Sequence, residues 1–174
     1  YRYELGLRKS VAPDYFRIGG AIHAGLDHYF STGDEDCAIE LATKGYRTFP
    51  DWATTKEYET IWMVEGAKVY GLLKGYFRRW EATRWEVLAC EQTLSALIIN
   101  PATGRESRNF TYGGKIDMIV KLPDGRIALV EHKTTQDSFK EESDLWPWLR
   151  IDSQTSLYWN LCHDNGWDID TVVY

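Results

Sequence analysis

The first eighty residues carry apolar side chains at helical spacing. After Gly19-Gly20, apolar residues recur every three or four positions up to about Ser31-Thr32-Gly33, which predicts a first helix. Its apolar positions are Ile22, Leu26, Tyr29 and Phe30. A longer amphipathic helix is predicted from Thr54 or Thr55 onward. Its apolar stripe consists of Trp62, Gly66, Val69, Leu73, Phe77 and Trp80.

From Trp85 to Lys133 the apolar period changes from about 3.6 to two, and β-forming residues dominate. Three runs, around 86–99, 110–121 and 126–133, predict an antiparallel meander. A last helix follows, and the run at Thr171 predicts a final strand. The last helix carries one stripe of Gln154, Leu157, Tyr158 and Leu161. Helices followed by strands, a helix and a strand favour an α/β or α+β fold.

The second and third runs are joined by Leu122-Pro123-Asp124-Gly125, whose residues suit a type I turn followed by a left-handed glycine. This turn pairs Leu122 with Arg126 and therefore places Asp117 opposite Glu131 on one face of the sheet. Lys133 shares that face because side chains alternate along a strand, and the side chain of His132 is expected on the other face.

Two facing carboxylates repel each other unless a cation lies between them or one of them is protonated. Hard oxygen ligands favour magnesium or manganese, with hydrolysis of a phosphodiester as the matching chemistry. The alternative is a surface hairpin in which Lys133 forms an ordinary salt bridge. Apolar residues on both faces of these strands argue against that alternative, since a strand buried on both faces seldom carries three charges.

Composition narrows the class of protein. The 174 residues predict a single globular domain over 1–174, with ends that we expect to be truncated. The net charge of −6 gives no general basic field for nucleic acid, so a polyanion must be held by a local basic patch or a metal. Three scattered cysteines, Cys37, Cys90 and Cys162, predict buried free thiols, and no apolar stretch is long enough for a membrane span, so we expect a cytoplasmic protein.

Four short motifs resemble the RecB-like branch of the PD-(D/E)xK nuclease superfamily. They are G-x-x-H at Gly20 to His23, G-x-x-D at Gly114 to Asp117, E-x-K at Glu131 to Lys133, and Q-x-x-x-Y at Gln154 to Tyr158. The resemblance implies a restriction-endonuclease-like core, with a mixed central sheet containing an antiparallel meander and flanked by helices. It further implies Mg²⁺ or Mn²⁺ held by Asp117, Glu131 and His23, with the backbone carbonyl of His132 as a further ligand.

The same resemblance gives Lys133 the role of orienting or deprotonating the attacking water, and it places Gln154 and Tyr158 beside the site and the DNA strand. It implies exonuclease action on single strands or DNA ends, in recombination, repair or phage DNA processing in a bacterial or phage-infected cell, where recombination or repair proteins are possible partners. Three scattered cysteines argue against the four-cysteine iron–sulfur cluster of some relatives.

Several residues keep two interpretations. His23 is a ligand or a core histidine, and Gln154 with Tyr158 forms part of the site or an ordinary helix pair. Glu91 is a further acidic partner or an edge residue. Trp146 and Trp148, expected in a loop, stack on bases or pack as core. The basic patch consists of Lys74, Arg78, Arg79 and Arg84. It either contacts the phosphates of a bound nucleic acid or is the ordinary solvent-exposed face of a long helix. A different class of function, an idle nucleic-acid-binding or protein-interaction module on the same fold, also stays open.

Overall fold

A computed structural model describes residues 11–83 and 85–174. The chain divides into two compact units, with the division between Ala82 and Thr83, and a cluster of buried apolar residues lies in each. The single nuclease domain expected over 1–174 therefore stays a prediction. Within the described residues, no helix is both long enough and apolar enough to span a membrane.

Within residues 11–82, the first unit has three α-helices: α1 (Asp14–Thr32), α2 (Glu35–Thr43) and α3 (Lys56–Trp80), with a 3-10 turn at Lys44–Arg47 before α3. The long helix α3 confirms the sequence prediction, and the Thr55 side chain accepts the hydrogen bond that caps it. The predicted start of α1 at Gly19-Gly20 is wrong, because the helix begins five residues earlier, directly after Pro13. Helix α2 was not predicted from the sequence.

The buried stripe of α3 includes a charged residue that the sequence pattern did not single out. Glu65 is 2% exposed, and its carboxylate accepts two hydrogen bonds from the Arg17 guanidinium of α1. The guanidinium carbon lies 5.0 Å from the ring centre of Trp52 and 5.7 Å from that of Trp62. This buried, bidentate ion pair joins α1 to α3 inside the first unit.

The second unit contains six strands in the part that the structure describes, residues 83 and 85–174. They are β1 (Glu86–Cys90), β2 (Thr93–Ile99), β3 (Glu106–Lys115), β4 (Met118–Lys121), β5 (Ile127–Val130) and β6 (Thr171–Val173). Four of them form a sheet in the order β1-β4-β5-β6, in which β6 is parallel to β5 and the other pairs are antiparallel. The strands β2 and β3 form a separate antiparallel ribbon. This is the mixed sheet that the resemblance implied.

The predicted runs 86–99 and 110–121 are each two strands, not one. The first run breaks at Glu91 and Gln92, and the second begins at Glu106 and breaks at Ile116 and Asp117. Backbone pairing nevertheless continues through the breaks, because the N–H of Glu91 donates to the Asp117 carbonyl and the N–H of Ile116 donates to the Gln92 carbonyl. The two long strands are therefore kinked together at one level.

Two helices complete the second unit: α4 (Leu145–Arg150) and α5 (Ser153–Asp164). As predicted, both faces of the hairpin are buried: Met118, Ile119, Val120, Ala128 and Leu129 are fully buried. Helix α5 packs on the face of Ile119 and Leu129. Its predicted stripe is wrong at Leu157, which is 36% exposed, whereas Thr155 and Cys162 are buried instead.

Two further expectations, on the tryptophans and the cysteines, need correction, whereas both interpretations of the basic patch stay open. Trp146 and Trp148 lie in helix α4 and not in a loop, and both are exposed, so neither is a core residue. Cys37 is exposed and Cys90 only half-buried, whereas Cys162 is the buried free thiol that was predicted. The basic patch is exposed at Lys74, Arg78 and Arg79 of α3, and Arg84 lies outside the described residues.

Candidate active site

The hairpin turn sets the register of the site. The N–H of Leu122 donates to the Arg126 carbonyl at 2.8 Å, and Gly125 adopts the left-handed conformation with φ at 90°. The predicted register is confirmed in the paired strands, where Met118 lies opposite Val130. One residue beyond that pair, Asp117 and Glu131 follow at the same level, at the ends of β4 and β5.

The Asp117 carboxylate is buried, at 8% exposure, and is held by the neighbouring strand. Its Oδ2 atom accepts a hydrogen bond of 2.7 Å from the backbone N–H of His132. The imidazole Nδ1 atom of His132 lies 3.8 Å from the same oxygen, although strand alternation predicted that only the backbone of His132 would reach the site. Asp117 is thus fixed from one side by the segment that carries the E-x-K motif.

Glu91 brings a third carboxylate to this level of the sheet. Its backbone pairs with Asp117 across the kink, and a carboxylate oxygen of Glu91 lies within 4.8 Å of one of Asp117. Glu91 is also ion-paired with Lys115. Its φ of 50° lies in the left-handed region, a conformation that costs about 1 to 3 kcal/mol for a residue other than glycine. Such strain is concentrated at functional sites, which favours the acidic-partner interpretation of Glu91.

A chain of polar contacts links Glu131 to helix α5. The Lys133 ammonium donates to Glu131 Oε1 at 3.1 Å and to Gln154 Oε1 at 2.8 Å. The Gln154 amide donates in turn to the Tyr158 hydroxyl at 3.0 Å. Glu131 is 2% exposed and Tyr158 9% exposed. The structure thus brings together four of the residues that the sequence predicted for the site.

Sequence reasoning missed Asp152, the residue that caps helix α5. Its Oδ1 atom accepts the backbone N–H of Gln154 at 2.9 Å, and its Oδ2 atom accepts the Thr155 hydroxyl at 3.1 Å. The same Oδ2 atom lies 3.2 Å from the Lys133 ammonium. An aspartate directly before a helix signals an N-cap, but nothing in the sequence ties that cap to a lysine nineteen residues earlier.

The charges around Lys133 shift two pKa values. Burial lowers the pKa of the Lys133 ammonium, but Glu131 and Asp152 together outweigh burial, so its pKa lies above the usual range. Burial raises the pKa of the Asp152 carboxyl, but the N–H of Gln154 and the Lys133 ammonium stabilise the carboxylate more, and its pKa is lowered. Both groups are therefore charged at neutral pH.

Gly114 allows the Tyr158 ring to pack directly on strand β3. A Cβ atom at position 114 would lie 2.4 Å from Tyr158 Cε1 and 3.2 Å from its Cδ1 atom. No side chain fits at that distance. The glycine of G-x-x-D and the tyrosine of Q-x-x-x-Y are therefore complementary parts of one contact in this structure.

The sequence was compared with models of known protein families. A model of the PD-(D/E)XK nuclease superfamily matches residues 1–170. The chain belongs to that superfamily. No curated protein matches the chain. The membership agrees with the mixed sheet flanked by helices, and it implies a metal-dependent nuclease in general terms. The RecB-like branch stays a prediction.

The donor set of this superfamily member suits a divalent cation. Asp117 and Glu131 are buried and directly flank the paired residues Met118 and Val130. A Glu91 oxygen lies within 4.8 Å of an Asp117 oxygen, whereas Glu131 is not part of that group of close ligand atoms among the described residues. Burying like charges together is unfavourable without a compensating cation, and hard oxygen donors are those that magnesium and manganese prefer. The residues present therefore fit the metal that the superfamily implies.

The other predicted residues lie on helices α1 and α4. His23 is a half-buried residue of α1 in the first unit, and its role as a ligand stays a prediction. Trp146 lines a groove of about 490 Å³ in the second unit together with Phe139, Leu149 and Arg150. Trp148, although 68% exposed, is not among the residues that line this groove.

Proposed function

We propose that the protein is a Mg²⁺- or Mn²⁺-dependent deoxyribonuclease that acts as an exonuclease on single strands or DNA ends. The observation that carries the proposal is the position of Lys133, whose ammonium lies 3.1 Å from Glu131 Oε1 at the level of the buried Asp117 carboxylate. Metal-assisted phosphodiester hydrolysis needs oxygen ligands for the ion, and a protein cation beside one of those ligands can act on the attacking water or the phosphate.

Asp117 and Glu131 would supply oxygen ligands, and a divalent ion bound there supplies charge neutralisation at phosphate and a water of lowered pKa. Lys133 has only donors and no acceptor, so it cannot be a ligand while it is protonated. It is placed to orient the attacking water or to stabilise negative charge that develops at the phosphate. Gln154 and Tyr158 hold it on the side of α5.

The family resemblance adds His23 and the carbonyl of His132 to the proposed ligands. A ligating imidazole must be neutral, so its contribution to metal affinity should weaken as the pH falls toward about 6.5. Replacement of His23 by alanine should weaken manganese binding at pH 8 and flatten the pH dependence of binding between pH 6 and 8. Unchanged affinity would remove His23 from the proposed ligands.

Cleavage of end-labelled linear and covalently closed circular single-stranded DNA tests the activity and its direction of attack. We expect degradation of the linear strand with magnesium or manganese, protection of the circle, and no reaction in EDTA. Asp117→Asn should abolish cleavage. Asp124→Asn, which removes an exposed carboxylate from the turn of the same hairpin, should leave cleavage unchanged.

Degradation of the circular strand would contradict exonuclease action but would still support a metal-dependent nuclease. Binding of the linear strand without cleavage under any metal would support the idle binding module instead. Recombination, repair and phage DNA processing are the proposed settings because each of them generates such ends, and a cytoplasmic location is proposed with them.

A further inference from the structure

We propose that Asp152 is a positioning residue for Lys133, and that its carboxylate is required to fix where the lysine ammonium stands during cleavage. The inference rests on the proposed function for its catalytic part. Its structural part, that Asp152 immobilises Lys133, is independent of any activity.

The Lys133 ammonium has three hydrogens and makes three polar contacts. They are Gln154 Oε1 at 2.8 Å, Glu131 Oε1 at 3.1 Å and Asp152 Oδ2 at 3.2 Å. An ammonium group donates at most three hydrogen bonds. Gln154 and Glu131 accept hydrogen bonds from the ammonium and Asp152 forms an ion pair with it, so one neutral and two anionic groups define its position.

The two anions differ in what else they are expected to do. Glu131 belongs to the proposed metal ligands, so its charge is shared between the ion and Lys133. Asp152 lies directly before helix α5, and its carboxylate accepts two hydrogen bonds from Gln154 and Thr155 of that helix. Asp152 therefore supplies a negative charge to Lys133 that does not depend on the occupancy of the metal site.

Asp152 is held more firmly than a surface partner of lysine would be. Its two carboxylate oxygens are occupied by the helix cap, and its side chain is 21% exposed. Surface ion pairs contribute little because both side chains must be ordered to form them. Here the cap has already ordered the carboxylate, so the ion pair orders only Lys133.

The capping role and the positioning role can be separated by substitution. Asparagine and serine are both good N-cap residues. Asp152→Asn keeps the cap and the length of the side chain but removes the charge. Asp152→Ser keeps the cap but is too short to reach Lys133. Thr155→Val is the matched control, because it removes another hydrogen bond of Asp152 Oδ2 and leaves Lys133 untouched.

Two readouts decide the inference. The first is hydrogen exchange of the Lys133 ammonium in metal-free protein labelled with ¹⁵N-lysine, with its NMR signal assigned by loss in Lys133→Arg. We expect a slowly exchanging signal in the wild type and in Thr155→Val, and exchange at least tenfold faster in both Asp152 variants. Equal exchange in wild type and Asp152→Asn would overturn the inference, whatever the activity of the protein.

The second readout is steady-state cleavage. Loss of an outer-shell partner typically lowers activity by about 10- to 100-fold. We expect that fall in kcat for Asp152→Asn and Asp152→Ser, with KM for DNA and half-saturating manganese unchanged, and no such fall for Thr155→Val. A uniform loss in all three variants, in proportion to stability, would reduce Asp152 to a helix cap and overturn the inference. If the wild type cleaves no DNA with either metal, the proposed function is overturned, and so is the catalytic part of this inference. The structural part, that Asp152 immobilises Lys133, is decided by the exchange measurement alone.

Discussion

Replacement of Gly114 by alanine probes the contact on which Tyr158 rests. The added Cβ would lie 2.4 Å from Tyr158 Cε1, and ordinary van der Waals contact begins near 3.4 Å, so the two atoms must separate by about 1.0 Å. Tyr158 is 9% exposed, so its ring has little room to retreat. Overpacking of this kind costs about 1 to 3 kcal/mol. Loss of the hydrogen bond between Gln154 and Tyr158 adds roughly 1 kcal/mol.

We therefore expect Gly114→Ala to lower the free energy of unfolding by about 2 to 4 kcal/mol. Urea unfolding followed by tryptophan fluorescence measures this change. A double-mutant cycle with Tyr158→Leu, which lacks the Cε1 and Cζ atoms, isolates the clash: in that background the cost should fall below about 1 kcal/mol. Gly75→Ala, where nothing lies within 4 Å of the new Cβ, should instead stabilise the long helix. An equal cost of Gly114→Ala in both backgrounds would refute the reasoning.

Three further outcomes are expected. Arg17→Met leaves the buried Glu65 without its ion pair and should lower the free energy of unfolding, measured by urea denaturation, by about 3 kcal/mol. Lys56→Met removes an exposed ion pair and should lower it by less than about 0.5 kcal/mol. Trp146→Leu should weaken binding of oligo(dT) in EDTA at least ~5-fold by fluorescence anisotropy, whereas Trp148→Leu should not. Folding lowers the pKa of Asp152, so its carboxylate stabilises the fold above about pH 4, its unfolded value. Urea unfolding at a series of acid pH values should therefore show the wild type losing its stability advantage over Asp152→Asn as the pH falls below the folded pKa.

The hairpin that carries the site was predictable because local chemistry determines it. Pro123 and Gly125 define the turn, and the turn fixes the register that brings Asp117 level with Glu131. The long helix α3 was predictable for a similar reason, since its apolar stripe and its Thr55 cap are visible in the sequence. Each of these features depends on residues that are near one another in the chain.

What the sequence did not predict depends on contacts between distant segments. The kinks at Glu91 and Asp117 interrupt two strands that keep the same register across the breaks, with Cys90 opposite Met118 and Thr93 opposite Lys115. Alternation of apolar residues therefore carries no sign of these kinks. Asp152 joins the site only because α5 packs on the sheet. The charge of Glu65 within the core of α3 depends on Arg17, forty-eight residues away.

The central claim is that Asp117 and Glu131 hold a divalent ion beside Lys133, and calorimetric titration with manganese tests it most directly. We expect the wild type to bind, Glu131→Gln to lose most of its affinity, and Lys133→Met to keep or gain affinity, because a cation is removed from beside the ligands. Manganese affinity in Glu131→Gln equal to that of the wild type would contradict the claim.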